Sequence, residues 1–171
     1  MSRLLIFADI HGSLASWFTV KALLSQGDSL AVAGDLFDTR YGNYSNPDFH
    51  PDEIRSDLKT LAHPLHYVYG NCDVERFYPG HGNEKKFQAF GKAVQMHHGH
   101  KPLSDPGSAQ IIIQGHTHLC NLEKKNGTIY MNPGSIASPR NSLATYGIID
   151  STGICLVELK TGTPLAALPF D

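Results

Sequence analysis

Residues 3–12, Arg3-Leu4-Leu5-Ile6-Phe7-Ala8-Asp9-Ile10-His11-Gly12, decide the fold class. The run over 3–8 is apolar without a helical period and stops at Asp9 and Gly12, which reads as a buried strand. Ser13 can cap a helix behind it, since Leu14, Trp17, Phe18, Ala22 and Leu23 recur at helical spacing before Gly27 closes it. The unit then repeats in outline. Residues 29–33 read as a second buried strand running into Gly34-Asp35. After a short helix over 52–62, closed by His63-Pro64, Leu65–Tyr69 form a third strand running into Gly70-Asn71.

Outward from this half the pattern changes. Thr39–Pro51 is a polar loop of about a dozen residues, long enough to suggest a functional role. Short helical pieces are expected over 73–91. Beyond them, Ala93–His97, Ala109–Gln114, Leu119–Lys124, Thr128–Met131, Thr145–Asp150 and Ile154–Lys160 all read as strands, with Asn126-Gly127 as a hairpin turn. No repeat, low-complexity tract or linker divides the chain. Its 171 residues, 41% of them hydrophobic, suit one domain over 1–171.

Composition removes several functions. Charged residues make up 18% and the net charge is −2, so no excess of Lys and Arg holds a polyanion and no stable nucleic-acid complex is expected. The three cysteines, Cys72, Cys120 and Cys155, are odd in number and form no CxxC pair. That argues against a disulfide framework and a thiolate zinc site, and fits a reducing cytoplasm. Leu4–Ala8 is too short for a signal-peptide core, and no stretch approaches a membrane span.

Ten histidines stand out, several beside Asp, Gly or Thr where apolar runs end. Five blocks share one design of apolar strand, glycine turn and metal-binding side chain: Asp9-Ile10-His11, Gly34-Asp35, Gly70-Asn71-Cys72-Asp73, His98-Gly99-His100 and Gly115-His116-Thr117-His118. Carboxylate with imidazole suits Mn, Zn or Fe better than Ca or Mg, because hard cations favour all-oxygen shells. Each block alone is a common accident. His116 and His118 are stronger together, since residues two apart on a strand share a face.

In this order the blocks resemble the calcineurin-like metallophosphoesterases, whose signature runs D-x-H, G-D, G-N-[HC]-[DE], an H after a strand, and G-H-x-H. The resemblance spans 4 to about 140. Gly70-Asn71-Cys72-Asp73 with Asn132-Pro133-Gly134-Ser135 looks most like the small YfcE-type phosphodiesterases within that family. It implies an α/β (α+β) fold, a two-sheet β-sandwich of mixed sheets flanked by helices, with ligands on loops at one edge. It also implies two divalent ions (Mn favoured, or Zn, Fe or Ni), one held by Asp9, His11, Asp35 and His118, the other by Asp35, Asn71, His98 and His116. The reaction so implied is attack of a metal-bridging hydroxide on a small phosphodiester in the cytoplasm, by a chain that could form a homo-oligomer. Two alternatives stand beside it: a phosphomonoesterase or cyclic-nucleotide phosphodiesterase on the same dinuclear site, and a non-catalytic scaffold like the retromer subunit that resembles these enzymes. A scaffold has no reason to keep His11, Asn71 and His98 together.

Asn71, Cys72, His98 and His100 are the candidates nearest the reacting atoms. His98 matches the family ligand position, and His100 is a candidate for substrate contact. Cys72 stands where many relatives carry a His that protonates a leaving group. Asp73 can orient a neighbouring loop or cap a helix start, the cap being the preferred reading. Asn132 and Ser135 can support His116 or His118, Arg40 and Arg140 can contact phosphate, and His50, His63, His66 and His81 read as surface or loop histidines.

Overall fold

A computed structural model describes residues 2–105 and 107–170. The chain runs β1 (Leu4–Phe7), α1 (Leu14–Leu23), β2 (Ser29–Val32), α2 (Pro51–Thr60), β3 (Leu65–Tyr67), β4 (Glu84–Ala89), β5 (Lys92–His97), β6 (Ile111–Gln114), β7 (Asn121–Lys125), β8 (Thr128–Asn132), β9 (Thr145–Ile149), β10 (Gly153–Glu158) and β11 (Pro164–Pro169). Six strands form one sheet in the order β11-β10-β9-β1-β2-β3 and five form the other, β4-β5-β6-β8-β7. Both are mixed. β1, β2 and β3 run parallel while β9 lies antiparallel to β1; β5, β6 and β8 run parallel between antiparallel edges β4 and β7.

The alternating side chains of the central strands divide the core in two. Leu4, Ile6 and Ala31 face Val94, Met96, Ile111, Ile113 and Met131 of the second sheet. Leu5, Phe7, Leu30 and Val32 face the helices through Trp17, Val20, Ile54 and Leu58. Both helices therefore cover the six-stranded sheet. Ser13 caps α1 by accepting from Ser16 N at 3.1 Å, and Trp17 Nε1 donates to Asp57 of α2 at 3.1 Å.

The two-sheet architecture agrees with the sequence expectation, and three local expectations fail. Residues 73–91 hold one 3-10 turn, Glu75–Phe77, and then β4 rather than helical pieces. β4 is an edge strand whose exposed Lys86 and Gln88 break any apolar run. β11, flanked by prolines at a sheet edge, was not anticipated either. His66 lies in β3 as a packing residue, stacked on Phe87 at 3.9 Å, while His81 sits on a loop as expected and stacks on Tyr78 at 4.9 Å. Among the described residues no helix is long and apolar enough to cross a membrane.

Candidate metal centre

Parallel strands bring the chemistry to one edge. β1, β2 and β3 deliver the loops of Asp9, Asp35 and Asn71 side by side, and β5 and β6 deliver those of His98 and His116–His118 from the facing sheet. The loops are bent hard. Of the non-glycine residues described with positive φ, Asp9 (55°), His11 (50°), Asp35 (50°), Asp38 (51°), His116 (70°) and His118 (59°) lie here. Left-handed backbone costs about 1–2 kcal/mol at a residue with a side chain, so its concentration in one place marks a geometry imposed by the surrounding fold. Gly70 is required for closeness: a Cβ there would sit 1.9 Å from Asp35 Oδ1.

Among the described residues, donor atoms gather in three groups, one of His11 with Asp38 and Cys72 and two that contain Asp9. In the first Asp9 cluster, His11 Nε2 and His118 Nε2 face each other at 3.2 Å, with Asp9 Oδ1 3.9 Å and 3.4 Å away. In the second, His98 Nε2 lies 3.2 Å from Asp35 Oδ2, 3.1 Å from Asn71 Oδ1 and 4.0 Å from Asp9 Oδ1. Asp9 is thus common to both clusters, while Asp35 Oδ1 accepts from Cys72 N at 2.8 Å. His116 is exposed and stands beside the clusters, its ring 5.0 Å from that of His98 and its N–H bonded to Asp9 Oδ2 at 2.9 Å. His100 lies behind them, 5.4 Å from the His98 ring, with a buried Nδ1 that has no hydrogen-bond partner.

The tautomers follow from the outer partners. His98 Nδ1 meets the Ala33 carbonyl at 2.8 Å and His118 Nδ1 the Ser138 carbonyl at 2.7 Å, so both nitrogens must donate. His11 Nδ1 meets the Asp38 carboxylate at 3.1 Å, which also requires a donor. A neutral ring then turns a lone pair on Nε2 toward other lone pairs, whereas a protonated His98 or His118 donates to Asp35 or Asp9. Asp9 Oδ1 is itself buried without a hydrogen bond. Such convergence is repulsive unless positive charge lies between the atoms, and a divalent cation fits the mixed carboxylate, imidazole and amide set.

Titration behaviour carries the same demand for charge. Burial alone would raise the Asp35 pKa, but the hydrogen bond and charge of His98, with Cys72 N–H, bring it down to about 2. Burial would lower His98, and Asp35 overcomes it, so the net shift is upward. His118 is raised by its contact with Asp9. His116 and His100 are lowered, each by burial and then by the charge of His98. Burial, followed by the charge of Asp35, pushes the Cys72 thiol well above its usual range, so it stays protonated.

Of the bracing residues, Asn132 and Ser135 were expected from the sequence and Asp38 was not. Asp38 orients His11, and nothing in its local context distinguished it from a turn residue. Asp73 is no helix cap: the 3-10 turn behind it has no side-chain cap. Its buried carboxylate instead accepts from Leu36, Phe37 and Asp38 N at 3.3, 2.9 and 3.3 Å, from Gly70 N at 3.1 Å and from Tyr67 Oη at 2.7 Å. Asn132 Nδ2 donates to Gly115 O at 2.8 Å and Thr117 Oγ1 at 3.0 Å, and Ser135 Oγ to Asp9 O at 2.7 Å, so both hold site loops. Arg40 and Arg140 are exposed on loops tied to Cys72 O and His118 O through their backbone N–H groups.

A model of the calcineurin-like phosphoesterase superfamily domain matches residues 2–153. The chain belongs to that superfamily. Among calcineurin-like phosphoesterases, phosphodiesterase YfcE of Escherichia coli K12 is 28% identical over 183 aligned residues, covering all of both chains. A probable metallophosphoesterase of Mycoplasma pneumoniae is 28% identical over 163 residues, 85% of this chain and 87% of its own. The E. coli YfcE structure superposes with a TM-score of 0.84 at 26% identity, covering 99% of this chain and 100% of that one. Vps29 of Entamoeba histolytica with bound zinc shares the fold at TM-score 0.69 and 20% identity, each chain covered to 99%.

Proposed function

We propose that this chain is a metal-dependent phosphodiesterase acting on a small diester in the cytoplasm, at a centre for two divalent cations. The observation that carries the reading is the convergence of Asp9 with His11 and His118, and of Asp9 with Asp35, His98 and Asn71, with each ring held from behind through Nδ1 and Asp9 Oδ1 left without a hydrogen bond. By the family assignment Asp9, His11, Asp35 and His118 would hold one ion and Asp35, Asn71, His98 and His116 the other, with Mn favoured over Zn, Fe or Ni, although Asp9 and not Asp35 is the carboxylate that neighbours both donor groups before any ion is bound. Ions bound there would supply Lewis acidity and activate water near neutral pH.

The chain's own part is charge and orientation. Asp9 and Asp35 bring two buried carboxylates to the ions, and Asn71 is turned by donation of its Nδ2 to Cys72 Sγ at 3.2 Å, which leaves Oδ1 facing inward. Arg40 and Arg140, exposed on loops tied to Cys72 O and His118 O, are the candidates to meet phosphoryl oxygens. No side chain here is a strong acid for the leaving group, because Cys72 keeps its proton and His100 is shifted toward the neutral form. Diesters with acidic leaving groups should therefore turn over fastest.

The test is a panel of aryl diesters, alkyl diesters, monoesters and cyclic nucleotides with protein reconstituted with Mn or Zn, and anomalous scattering from the loaded crystal. Metal-restored hydrolysis of diesters above the other classes, with two anomalous peaks flanking Asp35, is expected. Preference for monoesters, or metal-independent turnover, would overturn the reading.

A further inference from the structure

Beside the metal centre, an open-sided cavity of about 370 Å³ is lined by Thr39, Tyr44, Arg55, Val74, Arg76 and Phe77, none of them a candidate ligand. Two of its walls start where the metal site ends. Thr39 follows Asp38, the partner of His11, and Val74 follows Asp73; Val74 N donates to Thr39 Oγ1 at 3.1 Å and ties the walls together.

The lining is chemically specific. Arg55 lies over the Phe77 ring at 4.2 Å, donates to Phe77 O at 3.2 Å and pairs with Asp52 at 2.6 Å, so its plane is fixed and its charge partly answered. Arg76 is exposed and, among the described residues, has no hydrogen bond or ion pair. Tyr44 is 66% exposed. A single exposed tyrosine is ordinary, but this one has an aromatic neighbour. Its ring stands edge-on to Phe49 at 5.0 Å. Phe49 also packs on Gly42 so closely that a Cβ there would lie 2.0 Å from the ring. The same loop is anchored by Gly42 N to Asp38 O at 2.8 Å and by Asp48, whose carboxylate accepts from Ala15 N at 2.8 Å and Ser13 Oγ at 2.5 Å.

From this we infer that the cavity is a binding site for a nucleoside monophosphate, with the phosphate on Arg76 and the base against Tyr44. A free guanidinium binds phosphate through paired N–H groups, and an exposed aromatic face stacks any base. The volume falls at the small end of the roughly 300–1,000 Å³ of ligand sites. The net charge of the chain is −2, so an unpaired arginine here is a local feature and not an overall basic surface.

The experiment titrates AMP, adenosine and inorganic phosphate into the metal-loaded full chain by calorimetry, comparing wild type with Arg76→Ala, Arg76→Lys and Tyr44→Ala. Arg76→Ala should weaken AMP at least about tenfold while leaving adenosine within about twofold, and Arg76→Lys should recover part of the loss. Tyr44→Ala should weaken AMP and adenosine alike. Turnover of bis(4-nitrophenyl) phosphate by the variants should match wild type, which shows the metal centre intact. The KM for the 4-nitrophenyl ester of a nucleoside monophosphate, whose one phosphorus must react at the metals, should be unchanged in the variants; a raised KM would put Arg76 at the reacting phosphate and overturn a separate site. An unchanged KM beside lost AMP binding would identify a separate nucleotide site. AMP binding is read without turnover, so it stands apart from the phosphodiesterase reading. AMP affinity within about twofold of wild type in Arg76→Ala, or equal weakening of AMP and adenosine by that variant, overturns the site.

Discussion

The two ends of β1 and β2 each bury a carboxylate, and they treat it in opposite ways. At the end where the strands begin, Asp28 is fully buried and fully answered. It accepts from Arg3 N and Ser25 N, both at 2.9 Å, and pairs with the Arg3 guanidinium at 2.6 Å, on backbone without left-handed strain. At the end where the strands finish, Asp9 is equally buried, yet its Oδ1 has no hydrogen bond and its backbone is left-handed. Desolvating a carboxylate costs several kcal/mol wherever it is done. Where the fold supplies every partner the group serves stability; where it withholds one, the group is reserved for something that arrives later.

That contrast can be broken most directly at Asp9. Asp9→Asn should lower diester turnover more than about a hundredfold while leaving the melting temperature unchanged or raised, because a buried charge lacking a partner is removed. A melting loss matching that of Asp28→Asn would show that the two ends do the same work. Next in size is Asp38→Ala, which frees the His11 ring and should weaken metal binding about 10–100-fold in a titration followed by turnover, with Asp38→Asn recovering part through its remaining acceptor oxygen.

Asp28→Asn should give the reverse result, a stability loss of about 1–3 kcal/mol in urea unfolding with turnover within about twofold of wild type. Its pH dependence has a definite sign. Burial opposes ionisation of Asp28, but Arg3 and the Ser25 N–H more than offset it, so the folded pKa lies below the unfolded one. The contribution is therefore complete above the ordinary carboxylate range, near pH 4, and is lost as pH falls through the folded value. The gap between wild type and Asp28→Asn should close in acid; a gap that widens there would contradict the assignment. The smallest effect belongs to Cys72. Its thiol stays protonated and buried, so Cys72→Ser should leave the slope of log rate against leaving-group pKa unchanged, and a steeper slope in the variant would make the thiol an acid after all.

The five ligand blocks were readable because each follows an apolar run and a glycine, a local pattern that a strand and its turn impose on neighbouring residues. Central strands were readable for the same reason: they are buried on both faces. β4 was not, since an edge strand needs no apolar run, and its Glu84–Ala89 carry alternate exposure and charge.

What the sequence determined by itself was the superfamily, most of the strands and the five blocks that those strands bring to one edge. Tertiary structure alone decided how the donors face one another and what holds them. Asp73 gathers N–H groups from Leu36, Phe37 and Asp38, more than thirty residues away, and Asp38 reaches back to His11. Arg55, Arg76 and Tyr44, from a helix, a 3-10 turn and a loop, meet around one cavity. The physical reason is that periodicity reports only which face of its own element a residue occupies. A carboxylate's partners, and the lone pair it is left with, depend on which other elements the packed core brings against it.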